Sequence, residues 1–338
     1  MLLRPILALT LLGAFSGAVS AGGATAASAV PDSREGPARL TRIHGAAGKQ
    51  NFQGTFVVSG CGGVANARIA HYGEGRNQYE RIESLDGQTR YVFRHNDVVH
   101  TLWPASRIAL VEQAQSMTGF PALLQGGIDR IADYYEVKPQ GSERVAGREA
   151  HVLLVQPRDA HRFGYRLWSD KASGLLLRSE VINERDEVLE TSAFSEVTIG
   201  VKPQFESVTG PMRKLDGYRV IRPLLTNTQL EAEGWAMRQL VPGFREVSCV
   251  RRPMESPTSN AQEASADPVL QTIFSDGLTY VSVFIEPFNA QRHQRSMRTA
   301  VGATQTLMRR QGDWWVTVVG DVPPATLLVF ANGLERRK

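Results

Sequence analysis

Two cysteines, Cys61 and Cys249, are all that 338 residues contain. A small scaffold stapled by several disulfides is thereby excluded. Lysine is almost as scarce: six stand against 32 arginines, and the formal charge is only +4. There is no basic tract and no nucleic-acid motif, so nucleic acid is not an expected partner. Beyond the first 21 residues no segment is apolar enough to span a bilayer. No repeat of fixed period occurs.

Signatures of catalysis are missing as well. The nucleophile elbow, the zinc-protease helix, the phosphate loop and the dinucleotide fingerprint are all absent. Seven histidines are scattered along the chain. His95 and His100 flank the Asn96-Asp97 turn, but no third ligand stands near them, so no metal is expected. Cys61 and His71 fall on neighbouring strands of one predicted hairpin. The "SGCGG" turn at 59–63 offers neither an electropositive pocket nor an orienting group for a reactive thiol. Glu184, Asp186 and Glu187 sit together in a predicted solvated turn. No cofactor is expected and no enzyme activity is read from the chain.

What is present begins with export. Arg4 precedes an apolar run of about 14 residues, too short to span a membrane. Val19-Ser20-Ala21 then supplies small residues, so export with cleavage after Ala21 is expected. A mature chain of well over 300 residues predicts two domains.

From about Asn51 to Val197 short alternating runs recur every 8–12 residues, separated by turns such as Gly73-Glu74-Gly75 and Asp86-Gly87. "FPALLQGGIDRIADYY" at 120–135 predicts one or two short helices. The fold class is α+β: a large antiparallel half-barrel sheet curled around short helices, followed by a smaller mixed α/β C-terminal domain. We place the large domain at 36–199, a linker at 200–227 and the small domain at 228–338. The small domain reads as four strands, then a helix opening after Pro323-Pro324. The polar stretch Met254–Asp267 reads as a mobile loop.

The ordered features then become specific. "NFQGTFV" at 51–57, "RIAHYGEG" at 68–75 and "YRLWSDKASGLLLRSEVINERDEVLETSAFSEV" at 165–197 are joined by "LVPGFREVSCVRRP" at 240–253. "FSDGL" at 274–278 and "VVGDVPPATLLVFANGL" at 318–334 complete the set. With its signal peptide the chain resembles the MucB/RseB family of periplasmic negative regulators of the extracytoplasmic stress sigma factor. The resemblance implies a large domain like the lipoprotein carriers LolA and LolB. It also implies binding to the periplasmic part of a membrane-spanning anti-sigma factor, which is shielded from site-1 proteolysis. Lipid or lipopolysaccharide would release it. The "SGCGG" turn and the Met254–Asp267 loop depart from the family pattern, which puts the partner surface in question. A lipid or lipoprotein carrier is the alternative reading.

Candidate residues follow from strand alternation. Phe52, Phe56, Val58, Tyr91, Phe93, Leu102 and Trp103 either line a lipid cavity on the concave face or fill an ordinary core. Arg251 and Arg252 are candidates for an acidic partner or lipid phosphate, against plain solvated surface. Trp314 and Trp315 point to opposite faces of a strand. One is expected in the core and Trp315 is the candidate for an interface. In an oxidising compartment Cys61 and Cys249 either pair, tying the two domains, or remain two free thiols. A homo-oligomer stays open.

Overall fold

The computed structural model describes residues 35–60, 62–113, 120, 130–254 and 265–337. The export segment with its Ala21 junction, Cys61 and most of the expected 120–135 helices lie outside these residues.

Helix α1 (Glu35–Lys49) leads into β1 (Phe52–Gly60), β2 (Gly63–Glu74), β3 (Asn77–Ser84), β4 (Tyr91–His95), β5 (Val98–Trp103) and β6 (Ile108–Gln113). A single turn of helix, α2 (Ile131–Tyr134), precedes β7 (Tyr135–Val145), β8 (Arg148–Pro157), β9 (Gly164–Asp170), β10 (Leu176–Ile182) and β11 (Val188–Ile199). Next come α3 (Glu206–Arg213) and β12 (Arg219–Ile221). These twelve strands form one sheet in the order β12-β6-β5-β4-β3-β2-β1-β11-β10-β9-β8-β7. Every neighbouring pair is antiparallel except β12 with β6.

The sheet is curled. Helix α1 touches both β2 and β7, which stand six places apart in the strand order. Only a sheet wrapped around the helix allows that. We call the face that holds α1 the inner face. Leu40 and Ile43 of α1 pack there against Leu153, Val155 and Leu167. The sequence reading overlooked this helix because Pro37, Gly45 and Gly48 lower its propensity. Leu40, Ile43 and Ala46, at three-residue spacing, were the available signal. Gly36 is required: a Cβ there would run into the Val137 carbonyl.

The expected linker at 200–227 is more than a tether. Its helix α3 buries Val208 completely and covers the outer face of β2–β5, and β12 extends the large sheet. Gly210 and Pro211 hid this helix from propensity reasoning.

The second sheet is built from β13 (Thr226–Asn227), β15 (Arg245–Met254), β16 (Ser265–Ser275), β17 (Tyr280–Pro287), β18 (Met297–Val301), β19 (Thr304–Gln311) and β20 (Trp314–Gly320). Their order is β13-β15-β16-β17-β20-β19-β18. A two-stranded ribbon pairs β14 (Trp235–Met237) with β21 (Leu334–Arg336). Helix α4 (Pro324–Gly333) opens on Pro324, where the missing N–H costs nothing. It is apolar nearly all round and packs Leu327 and Phe330 onto Phe244, Phe274 and Val316. The two ends of the expected 254–267 loop belong to β15 and β16, and residues 255–264 lie outside the described residues. No described helix is long and apolar enough to cross a membrane. The architecture is α+β, a large curled sheet with few helices and a smaller second sheet.

Candidate functional site

The register sorts the seven candidate lipid residues onto two faces. Phe56 opposes Ala67, and Val58 opposes Ala65. Trp103 stands two residues from Thr101, which opposes Val92, which opposes Ile82. These side chains share the inner face and border a groove of about 500 Å³, with Asp86 and Arg90 at its rim. Phe52 lies on the same face but is fully buried under His71 and Phe194, so it is core rather than lining. Tyr91, Phe93 and Leu102 point the other way, into the outer-face core under α3, and are not part of the concave face. Leu102 and Trp103 are neighbours on β5, so period-two alternation forces them apart. Phe120, which the sequence reading did not single out, packs its ring at a tilt against Phe56 and Phe194 beside the groove.

The two lobes meet along a polar seam. The "FSDGL" turn between β16 and β17 enters the large lobe, where Leu278 joins the α1 core. The side chains of Asp276 and Arg162 are both inaccessible to solvent, and Arg162 Nε donates to Asp276 Oδ2 at 2.7 Å. Tyr135 donates its hydroxyl to the same oxygen at 2.9 Å, while Oδ1 accepts the Leu278 and Thr279 amides, each at 2.9 Å. Arg162 also donates to Asp159 and to the Pro242 carbonyl. Its guanidinium lies over Tyr134 and Phe244 at 4.6 and 5.1 Å. Burial, together with the Asp276 charge, pushes the Tyr135 phenol well above its usual range.

Further along the seam, Thr326 Oγ1 donates to the His161 carbonyl at 3.0 Å. Glu190 of β11 accepts the Ala303 amide at 3.4 Å from the β18–β19 turn. Gly302 in that turn has φ 60 and sits so close to Glu190 that a Cβ would meet its carboxylate. Asp321 is half-buried behind the same turn and accepts from Thr304 Oγ1 at 2.6 Å. Burial, with Asp321 nearby, raises the Glu190 carboxyl, and burial raises that of Asp321. Burial and these two carboxylates push the Tyr280 phenol up to about 12.

The arginine candidates have intramolecular partners. Arg251 donates to Glu233 through Nε at 2.7 Å and through a second guanidinium nitrogen. Arg252 reaches across the seam to Glu112 of β6 at 3.6 Å and donates to Gln271 at 3.1 Å. Trp315 is buried rather than presented at a surface: His293 stacks on it at 4.7 Å, and Phe288 flanks it. Trp314 is the half-buried member of the pair, edge-on to Trp235.

Cys249 is a free thiol buried in the small-lobe core, not half of a disulfide. Cys61 lies outside the described residues, but its neighbours show where the hairpin tip goes. A Cβ on Gly62 would come within 2.6 Å of Val301 Cγ1, and Gly60 abuts Gly302. The tip does reach the small lobe, at the β18–β19 turn. Cys249 is on β15, with β16, β17 and β20 between it and β19. The expected Cys61–Cys249 pairing itself falls on a residue outside the described ones. Burial, then Glu246 and Glu233, push the Cys249 thiol up to about 12. We expect Cys249 to resist thiol reagents in the native protein and react promptly in denaturant without reductant, as peptide mapping after alkylation would check.

His71 is equally structural: its Nδ1 is 2.9 Å from the Gln50 carbonyl and its ring stacks on Phe52. His95 pairs in register with Val98, and His100 with Phe93, so the two histidines do not oppose each other.

Two packed sheets, one curled around a helix with an open apolar groove and one closing a buried polar seam, define a two-lobed α+β protein. The chain belongs to the MucB/RseB family: the model of the MucB/RseB N-terminal domain matches residues 35–212, and that of the MucB/RseB C-terminal domain matches residues 229–335. It is 31% identical over 301 residues to the sigma factor AlgU regulatory protein MucB of Pseudomonas aeruginosa, covering 85% of this chain and 86% of that one. The sigma-E factor regulatory protein RseB of Escherichia coli K12 is 26% identical over 311 residues, covering 91% and 92%. Among solved structures, a crystal structure of MucB in complex with MucA(peri) matches with a TM-score of 0.67 at 28% identity. It covers 90% of this chain and 100% of that one.

Proposed function

We propose that this chain is a periplasmic, non-enzymatic regulator. It holds the periplasmic part of a membrane-spanning anti-sigma factor, shields it from site-1 proteolysis and so restrains an envelope-stress sigma factor. The observation that carries this reading is that similarity to MucB in complex with MucA(peri) runs through both lobes, over nine tenths of the chain. The export segment with cleavage after Ala21, and the division into domains at 36–199 and 228–338 around residues 200–227, belong to the same reading. Pull-down with the cognate anti-sigma segment tests it. Retention at micromolar concentration is expected, and folded protein that retains nothing sinks it.

Release by lipid or lipopolysaccharide would act through linkage: a ligand that prefers the conformation unable to hold the partner shifts the population away from the complex. The inner-face groove by Phe56, Val58 and Trp103 supports this part. Filling it with Ala67→Trp is expected to leave partner binding intact and to weaken lipid-induced release by about tenfold, the loss of roughly 1.4 kcal/mol. Unchanged release in a titration with lipopolysaccharide would move the lipid site elsewhere. The same groove would suit a lipid or lipoprotein carrier. Stoichiometric acyl chains extracted from the purified protein, without partner binding, would favour that second reading.

A further inference from the structure

Strand β18 is one of the two edges of the small sheet, with no strand on its far side among the described residues, and all five of its residues are exposed. Natural edge strands are commonly blunted by proline, an inward charge or a covering segment. "MRTAV" has no proline, and its one charge, Arg298, is exposed rather than buried under a neighbour. Helix α4 packs on β19 and β20, leaving a notch of about 250 Å³ beside β18. Leu307, Pro324 and Leu327 give the notch an apolar lining, and Arg298 stands at its rim. Arg298 opposes Leu307 in register, so both lie on the notch side of the sheet.

The charge around this edge is one-sided. From Phe288 to Gly312 there is no aspartate or glutamate, and there are five arginines. Arg292 pairs with Glu286, Arg309 donates to Asn332 and Ala331, and Arg310 lies over Phe288. Arg295 and Arg298 are exposed and have no ion pair among the described residues. An open edge, an apolar notch in line with alternate residues, and uncompensated arginines at the strand's start all suit the same occupant.

We propose that β18 is a docking edge for an extended, acidic segment of the partner. The segment adds as an eighth strand, sets one apolar side chain in the Leu307–Leu327 notch and meets Arg295 and Arg298 with its carboxylates. Strand addition supplies main-chain hydrogen bonds without sequence choice, while the notch and the arginines supply specificity. The far end of β18, at Val301, meets the β1–β2 hairpin tip, so an added strand would lie beside the contact between the lobes. The proposal rests on the anti-sigma reading for the identity of the partner.

The test uses the mature chain and the labelled periplasmic segment of the cognate anti-sigma factor. The double variant Arg295→Glu, Arg298→Glu is expected to weaken binding at least tenfold and to flatten its dependence on salt. Arg245→Glu, an exposed arginine on β15, serves as the charge control and should change little. Proline at whichever of Thr299 and Ala300 points its amide away from β19 should leave the β18–β19 pairing intact and impair binding strongly, since that amide is the one an added strand would bond. Tight binding unaffected by the double variant would overturn this edge and leave the regulator standing. Absence of binding by the wild-type chain would overturn both.

Discussion

Asp276→Ala is expected to destabilise the protein by about 3–5 kcal/mol, the range seen when one member of a buried ion pair is removed. The carboxylate has no solvent access and takes four donors: Arg162, Tyr135 and the amides of Leu278 and Thr279. Removing it leaves a guanidinium in a desolvated site and two amides unpaired. Asp159 and the Pro242 carbonyl still face Arg162, which keeps the loss from being larger. The double replacement Arg162→Met, Asp276→Leu should cost much less, because no uncompensated charge remains. Urea unfolding of the three proteins measures the difference. If Asp276→Ala matched the double variant, the pair would not carry the seam. Because the turn also delivers Leu278 to the large-lobe core, the first consequence should be separation of the lobes, visible as new protease sensitivity along 200–227.

The second large effect is on pH dependence. Glu190 and Asp321 titrate above their usual values of 4.5 and 3.8 in the folded protein, chiefly because the seam buries them. The groups that face them are Tyr280 and Tyr165, with Asp276 and its partner Arg162 beyond. A raised carboxyl pKa means that the docked state binds more protons than the open or unfolded one. Stability from these two groups is therefore full below their ordinary values. It falls as pH rises through that range and is fully lost once pH passes the raised values. Asp170 works in the opposite sense. It is held below its usual value by Arg148 and Ser173 despite burial, so its contribution is present near neutrality and lost in acid. Glu190→Gln and Asp321→Asn are expected to raise the urea midpoint at neutral pH and to flatten its fall as pH rises above the ordinary carboxylate range. A wild-type slope retained in both variants would place the proton uptake elsewhere. Any partner that holds the lobes together would then bind more tightly in mild acid.

Much of the small lobe was legible along the chain. The apolar runs of β16, β17 and β20 and the helix after Pro323-Pro324 are local signals, set by side-chain period and by proline geometry. The hairpins of the large sheet were legible for the same reason. Helices α1 and α3 were not, because glycine and proline weaken both locally and their stability comes from the sheet faces they cover. The groove was half legible. Alternation along β1 put Phe56 and Val58 together, yet it could not relate the faces of β4 and β5 to that of β1, since this requires the register across four strands.

By itself the sequence determined the composition class, the density of antiparallel strands, the family resemblance and the lack of a catalytic motif. These follow from residue type and spacing within a few tens of residues. The tertiary structure alone decided that Cys249 sits three intervening strands away from the sheet turn that the hairpin tip touches. It also decided that Arg252 and Asp276 face the other lobe, that Trp315 is covered by His293, and that β18 lies at the edge of its sheet. Each of these depends on which strands become neighbours. Sheet order is fixed by long-range burial and hydrogen bonding, which no local pattern carries.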